Sequence, residues 1–174
     1  MKKHIAITAL LLMIPLFASA QGEVHPYRGQ GYGFGAFGTG LDYSHSLVEQ
    51  LGFGGEGFLY KGLGFGGEAV WSHYSRFGFD HPAWIGSLDG SYHFRRHAPR
   101  GGVDPFLVGG FSVYSPTTSG NGESAEFGGN FGGGVNLWFA DHAALRLELR
   151  EHVNTGNYLP GNTAIAFRVG VTFR

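Results

Sequence analysis

The segment "TAIAFRVGVTFR" at 163–174 constrains the chain more than any other feature. Ile165, Phe167, Val169, Val171 and Phe173 fall on one face, and Ala164, Ala166, Arg168, Gly170 and Thr172 on the other. Strict alternation of this kind is the period of a β-strand, because successive side chains point to opposite faces of a pleated backbone. A helix would spread the same residues around its circumference. "ALRLELR" repeats the pattern, with Leu145, Leu147 and Leu149 set against Arg146, Glu148 and Arg150. The chain is therefore read as all-β, built from strands with one bulky apolar face and one small or polar face.

Weaker copies of the pattern fill the rest. "FGGNFGGGVNLWF" sets Phe127, Phe131, Val135, Leu137 and Phe139 against Asn130, Gly132, Gly134, Asn136 and Trp138. "WIGSLDGSYHFR" sets Trp84, Leu88, Tyr92 and Phe94 against Ser87, Asp89, Ser91, His93 and Arg95. "DPFLVGGFSVY" is a strand of less certain facing, and "GQGYGFGAFGTGLDY" changes phase near Ala36–Phe37, which predicts a bulge. The pentapeptide GFGGE at 52–56 and again at 64–68 brings the count of strands to about eight. The connections are expected near 44–50, 60–63, 75–83, 95–103, 115–126, 140–143 and 152–163. Tight turns then alternate with longer polar loops, apart from the longer "RRHAPRGGV" at 95–103, as in an up-and-down barrel across a bilayer.

The first twenty residues read as a leader. Lys2 and Lys3 form a basic start, "IAITALLLMIPLF" an apolar stretch, and "ASA" before Gln21 a small-x-small cleavage site. The expected division is a signal peptide over 1–20 and one exported domain over 21–174. Cysteine is absent, so no disulfide framework holds that domain together. Lys and Arg number 12 against 13 Asp and Glu, and losing Lys2 and Lys3 moves the balance further negative, so no basic footprint for nucleic acid exists.

Whether the apolar face meets a core or lipid decides the class. A soluble barrel or sandwich turns its apolar face inward and a well-charged face outward. Here the opposite face is mostly Gly, Ala, Ser and Asn, and Lys61 is the single lysine after the leader. Such a face suits the crowded interior of an eight-stranded barrel, and the bulky face suits lipid, where the sheet must close. Trp84, Tyr92, Phe94, Trp138 and Phe139 lie near expected strand ends and are candidates for interfacial aromatic girdles. The expected fold is an eight-stranded antiparallel up-and-down transmembrane β-barrel.

These residues also resemble a known group. The leader, the eight strands and the closing "FRVGVTFR" resemble small outer-membrane β-barrels of the OmpA/OmpX-like superfamily. "NFGGGVNLWFADHAALRLELREHV" is similar in particular to the uncharacterised bacterial group called outer membrane protein beta-barrel domain. The resemblance covers essentially all of 21–174 and rests on pattern more than on signature residues. It implies the outer membrane of a Gram-negative-type bacterium. It also implies insertion by the outer-membrane assembly machinery, which reads an aromatic-rich last strand, here Phe167 and Phe173. One departure is visible: Arg174 follows the final aromatic.

By parity Glu56, Glu68, Asp89, Arg146, Glu148, Arg150 and Arg168 point inward, a set able to form an interlocked carboxylate–guanidinium network. Its bland role is to neutralise buried charge and fill the lumen; its functional role is a gate. If the β2–β3 hairpin centres on Gly62, Glu56 faces Glu68, and an arginine is needed between them. Asp89, Ser91 and His93 share one strand face and the residue types of a hydrolase triad, but lie ~6.5 Å apart along it. "GFGAFG" at 33–38 matches a dinucleotide fingerprint only literally, since no helix follows. The nine histidines, including His142 and His152, have no metal-ligand spacing.

The expected role is structural or surface-interacting, with no catalysis and no cofactor. A narrow low-conductance pore and a lipid-modifying barrel enzyme are the alternatives. The expected partners are outer-membrane lipid and lipopolysaccharide, with extracellular ligands at loops 75–83, 115–126 and 152–163, around a monomer.

Overall fold

The computed structural model describes residues 28–41, 46–76, 79–117, 125–155 and 162–174. The expected signal peptide and its cleavage site lie outside them. Eight strands follow one another: β1 (Gly29–Gly40), β2 (Leu47–Tyr60), β3 (Leu63–Arg76), β4 (Phe79–His93), β5 (Val103–Pro116), β6 (Glu126–Trp138), β7 (Ala143–Asn154) and β8 (Thr163–Phe173). Each pairs antiparallel with its sequence neighbour, and β8 pairs with β1 to close the ring. The strands are 11 to 15 residues long, enough for a tilted strand to cross a bilayer.

The exterior is apolar along its length. Leu51, Phe53, Leu88 and Phe111 are each more than 60% exposed, and Phe65, Phe127, Val169 and Phe173 share that surface. Inside lie Gln50, Ser72, Asn130, Asn136 and the network charges, all buried. This inverts a water-soluble barrel and leaves hydrocarbon as the solvent that suits the outer wall. Closure satisfies every strand edge, which a hydrocarbon surround demands.

Local sequence sets the register. In the β2–β3 hairpin Lys61 and Gly62 both take positive φ, 41° and 87°, as a two-residue type I′ turn requires. A β-bulge between Phe58 and Tyr60 then places Glu56 opposite Gly66 and Gly54 opposite Glu68. The expected Glu56–Glu68 facing is therefore two residues off, because the turn centres between 61 and 62 and the bulge adds an offset. A Cβ on Gly62 would also come within 2.2 Å of the His93 carbonyl. Gly62→Ala is expected to destabilise the barrel by roughly 1 kcal/mol or more, read by denaturant unfolding in detergent.

Two other expectations are corrected. β1 keeps a regular register with β2 from Gly29 to Thr39, so no bulge occurs at Ala36–Phe37. The phase change in the sequence arises because Tyr32 and Phe34 point into the lumen while glycines take the outward positions. Of the expected loop 75–83, residues 75–76 and 79–83 belong to strands, since β3 runs to Arg76 and β4 starts at Phe79, and 77–78 lie outside the described residues. Beyond the bilayer both faces meet water, so pairing continues after the alternation in sequence has ended.

Candidate functional site

Parity brings one layer of charge to the middle of the lumen, and Glu148 is its hub. Arg146 and Arg150 flank it at i−2 and i+2 on the inner face of β7, and Arg168 lies directly across the ladder on β8. Arg146 Nε and Nη2 reach Glu148 Oε2 at 2.9 and 2.8 Å. Arg150 Nε donates to Glu148 Oε1 at 2.5 Å, and Arg168 Nη1 lies 3.5 Å from the same oxygen. The other acids complete the layer from across the barrel. Arg168 Nη1 lies 2.9 and 3.0 Å from the two oxygens of Glu68, and Arg150 Nη1 lies 3.2 Å from Asp89 Oδ2. Asn130 bridges β6 into this set, donating to Asp89 at 2.9 Å and accepting from Arg150 at 2.6 Å.

Aromatic rings seat the guanidiniums. Arg146 sits between the rings of Tyr32 and Phe106, 4.2 and 4.0 Å from their centroids. Arg168 lies 4.3 Å from the centroid of Phe34. A desolvated cation over a ring face is attracted by the ring quadrupole, which helps to offset the loss of water. The GFGGE glycines make room for these rings: a Cβ on Gly52 or Gly54 would meet Phe34 Cζ at 2.6 Å or the Tyr32 hydroxyl at 2.7 Å.

No protein-family model and no curated protein sequence matches the chain. Solved structures do resemble it. The N-terminal β-barrel domain of Pseudomonas aeruginosa OprF superposes with a TM-score of 0.59 at 18% identity, over 83% of this chain and 95% of that one. Neisserial surface protein A gives 0.57 at 16%, over 83% and 94%. The outer membrane enzyme PagL gives 0.55 at 14%, over 82% and 99%. The fold is that of a small outer-membrane β-barrel.

A second polar cluster lies in this outer-membrane barrel toward the end that carries the 61–62 turn. His93 Nδ1 lies 2.7 Å from Asp104 Oδ2 on β5, and its Nε2 lies 3.2 Å from Glu56 Oε1. Ser91 donates to the other oxygen of Glu56, and Gln30 Nε2 donates to Oε1 at 2.7 Å. Arg146 Nη1 approaches Glu56 at 4.0 Å, so each repeat glutamate has an arginine within ion-pair range. The would-be triad is thus broken up. Asp89 binds Arg150 and Asn130, and Ser91 and His93 both turn to Glu56 instead of to each other. Asp104 orients His93 from the neighbouring strand, a partner hidden from a reading along β4 alone.

Both sides of the charged layer are packed. On the far side Val48, Val70, Tyr74, Ala83, Ile85, Tyr114 and Ala164 form a buried apolar cluster with Phe34. On the near side Trp138 packs with Ala98 and Ala144 and is 1% exposed. Trp138 is therefore not a girdle residue: its parity follows Asn136 inward, while Trp84, Tyr92, Phe94 and Phe139 face outward. Arg174 stacks 3.7 Å from the Trp138 ring centroid and donates to the carbonyls of Asp141 at 2.8 Å and Ala98 at 3.0 Å. Phe167 and Phe173 face outward on β8, Phe167 in an edge contact with Phe37 at 5.7 Å. Residues 118–124 and 156–161, the centres of two expected ligand loops, lie outside the described residues.

Proposed function

We propose that the chain is a monomeric structural barrel of the outer membrane whose lumen is filled, so that it supports the membrane or displays its loops and does not conduct. The single observation that carries this reading is the sharing of Glu148 among Arg146, Arg150 and Arg168 at ion-pair distance, between an apolar cluster on one side and the Trp138 cluster on the other. Three guanidiniums held by carboxylates from β3, β4 and β7 leave little reason to release any of them, since a buried charge without its partner is costly. In this reading Phe167 and Phe173 present the last strand to the assembly machinery. Lipid and lipopolysaccharide surround the wall, and the connections within 75–83, 115–126 and 152–163 meet any extracellular partner.

Planar-bilayer recordings test it. Wild type, Glu56→Ala and Arg168→Ala are all expected to show no discrete conductance steps. Steps in the wild type would establish the pore alternative. The outer membrane enzyme PagL shares the fold, but the proposal includes no lipid chemistry here, because Ser91 and His93 are both engaged by a buried carboxylate. Lipid A profiles with and without expression are expected to be identical by mass spectrometry.

A further inference from the structure

Among the described residues the two ends of the barrel differ in charge. Arg28, Lys61, Arg95 and Arg100 lie on the rim that holds both ends of the ring and the turns 61–62, 94–102 and 139–142, and Arg96 and Arg174 stand at the same end with their guanidiniums folded onto the inward rings of Phe58 and Trp138. Of the other basic residues after the leader, Arg146, Arg150 and Arg168 are in the lumen and Arg76 closes β3 at the opposite end. Among the described residues Asp141 is the one side-chain carboxylate exposed on the basic rim, Asp104 being turned inward and buried. Glu49, Asp80, Glu126 and Glu151 lie toward the other end.

The cations are mounted at a fixed depth. The 61–62 turn is too short to leave the interface, and the Lys61 ammonium folds back to 5.0 Å from the ring centroid of Tyr60, itself 65% exposed. The Arg28 carbonyl accepts from Phe58 N at 2.8 Å, pinning that residue beside the same hairpin. The turn bearing Arg95, Arg96 and Arg100 is tied to β6 through Gly101 N donating to the Trp138 carbonyl at 2.6 Å. The outward aromatics Tyr60, Tyr92, Phe94 and Phe139 form a belt next to this rim. Cations directly beyond an aromatic belt stand where lipid phosphates stand.

We propose that this rim binds the headgroups of anionic glycerophospholipids, of the phosphatidylglycerol type, in the leaflet it faces. Charge complementarity and depth together favour lipid over a water-borne acidic polymer, since Lys61 sits on a two-residue turn and the backbone at Arg28 and along 94–102 is hydrogen-bonded to neighbouring strands at the belt. The proposal rests on the membrane-spanning reading given above.

The test uses the exported domain, 21–174, refolded in uncharged detergent. Native mass spectrometry reads retention of dioleoyl phosphatidylglycerol against dioleoyl phosphatidylcholine, for wild type and for Arg28→Ser/Arg100→Ser. Both substituted residues are exposed, and heat-modifiable gel mobility confirms that the variant is folded. Wild type is expected to prefer phosphatidylglycerol. Each cation removed should weaken that binding about fivefold, roughly twenty-five-fold for the pair, and added salt should weaken it further. Equal retention of the two lipids, or a preference that survives in the variant, overturns the proposal. So does displacement by glycerol phosphate at the lipid's own concentration, which would make a free phosphate the ligand. Binding to isolated peptidoglycan without any phospholipid preference would reassign the rim and overturn it as well. Insertion into phosphatidylcholine vesicles separates the two readings: a barrel that inserts yet shows no preference refutes the headgroup site alone, whereas one that fails to insert refutes the membrane reading.

Discussion

Glu148→Gln is expected to lower the unfolding free energy by about 3–5 kcal/mol, the largest effect of any single substitution in the lumen. The change keeps the shape of the side chain and removes the one charge shared by Arg146, Arg150 and Arg168. Those guanidiniums are 0–3% exposed and cannot recover water. Glu68 and Asp89 still hold Arg168 and Arg150, at 2.9 and 3.2 Å, so Arg146 is left most exposed to the loss, with Glu56 at 4.0 Å. Combining Glu148→Gln with Arg146→Met should therefore cost less than the two single losses added, by about 0.5–3 kcal/mol, because one uncompensated cation disappears with the anion. Equilibrium urea unfolding from vesicles measures all three proteins. A loss under about 1 kcal/mol for Glu148→Gln, or strict additivity, would show that the ion pairs do not hold the lumen together.

On the outer wall, Phe53→Arg and Leu59→Arg should differ sharply although both residues face outward on the same strand. Phe53 lies in the middle of β2 and is 64% exposed, whereas Leu59 lies one residue from its end and is 72% exposed. In a bilayer an arginine at the midplane costs about 2–4 kcal/mol and one near the interface about 0–1. A soluble barrel predicts no such dependence on depth, since both positions would already be in water. Unfolding from vesicles gives the two values directly, and equal costs would contradict the lipid-facing assignment of this wall.

The fold class was legible because it depends on local period. Alternation in "TAIAFRVGVTFR" and "ALRLELR" fixes strand and facing together, and one slipped residue would bury the wrong face. Facing alone also sends Glu148, Arg150 and Arg168 inward. What parity cannot supply is which acid meets which arginine. That depends on closing the ring, which sets β3 against β8 through Glu68 and Arg168, a hundred positions apart. The hairpin at 61–62 shows the same limit on a small scale: a lysine at positive φ and a bulge moved Glu56 off Glu68. Tyr32, Phe34 and Phe106 were hidden for a different reason. Aromatic residues normally mark the lipid face, and only the arginines that rest on them explain why these turn inward. Trp138 was misread by the same expectation. The pairing of His93 with Asp104 could have been sought in the opposite strand, since both stand next to the 94–102 turn.

Arg174, next to the end of β8, has a consequence for the order in which the ring closes. Its contacts join three parts of the chain: the 94–102 turn through Ala98, the 139–142 turn through Asp141, and the ring of Trp138. None of these can be reached until β8 has docked along β7, where Phe173 comes level with Ala143. The residue thus behaves as a keystone: it drops into place only once β8 is seated, and it then ties both turns at that end to the closing strand.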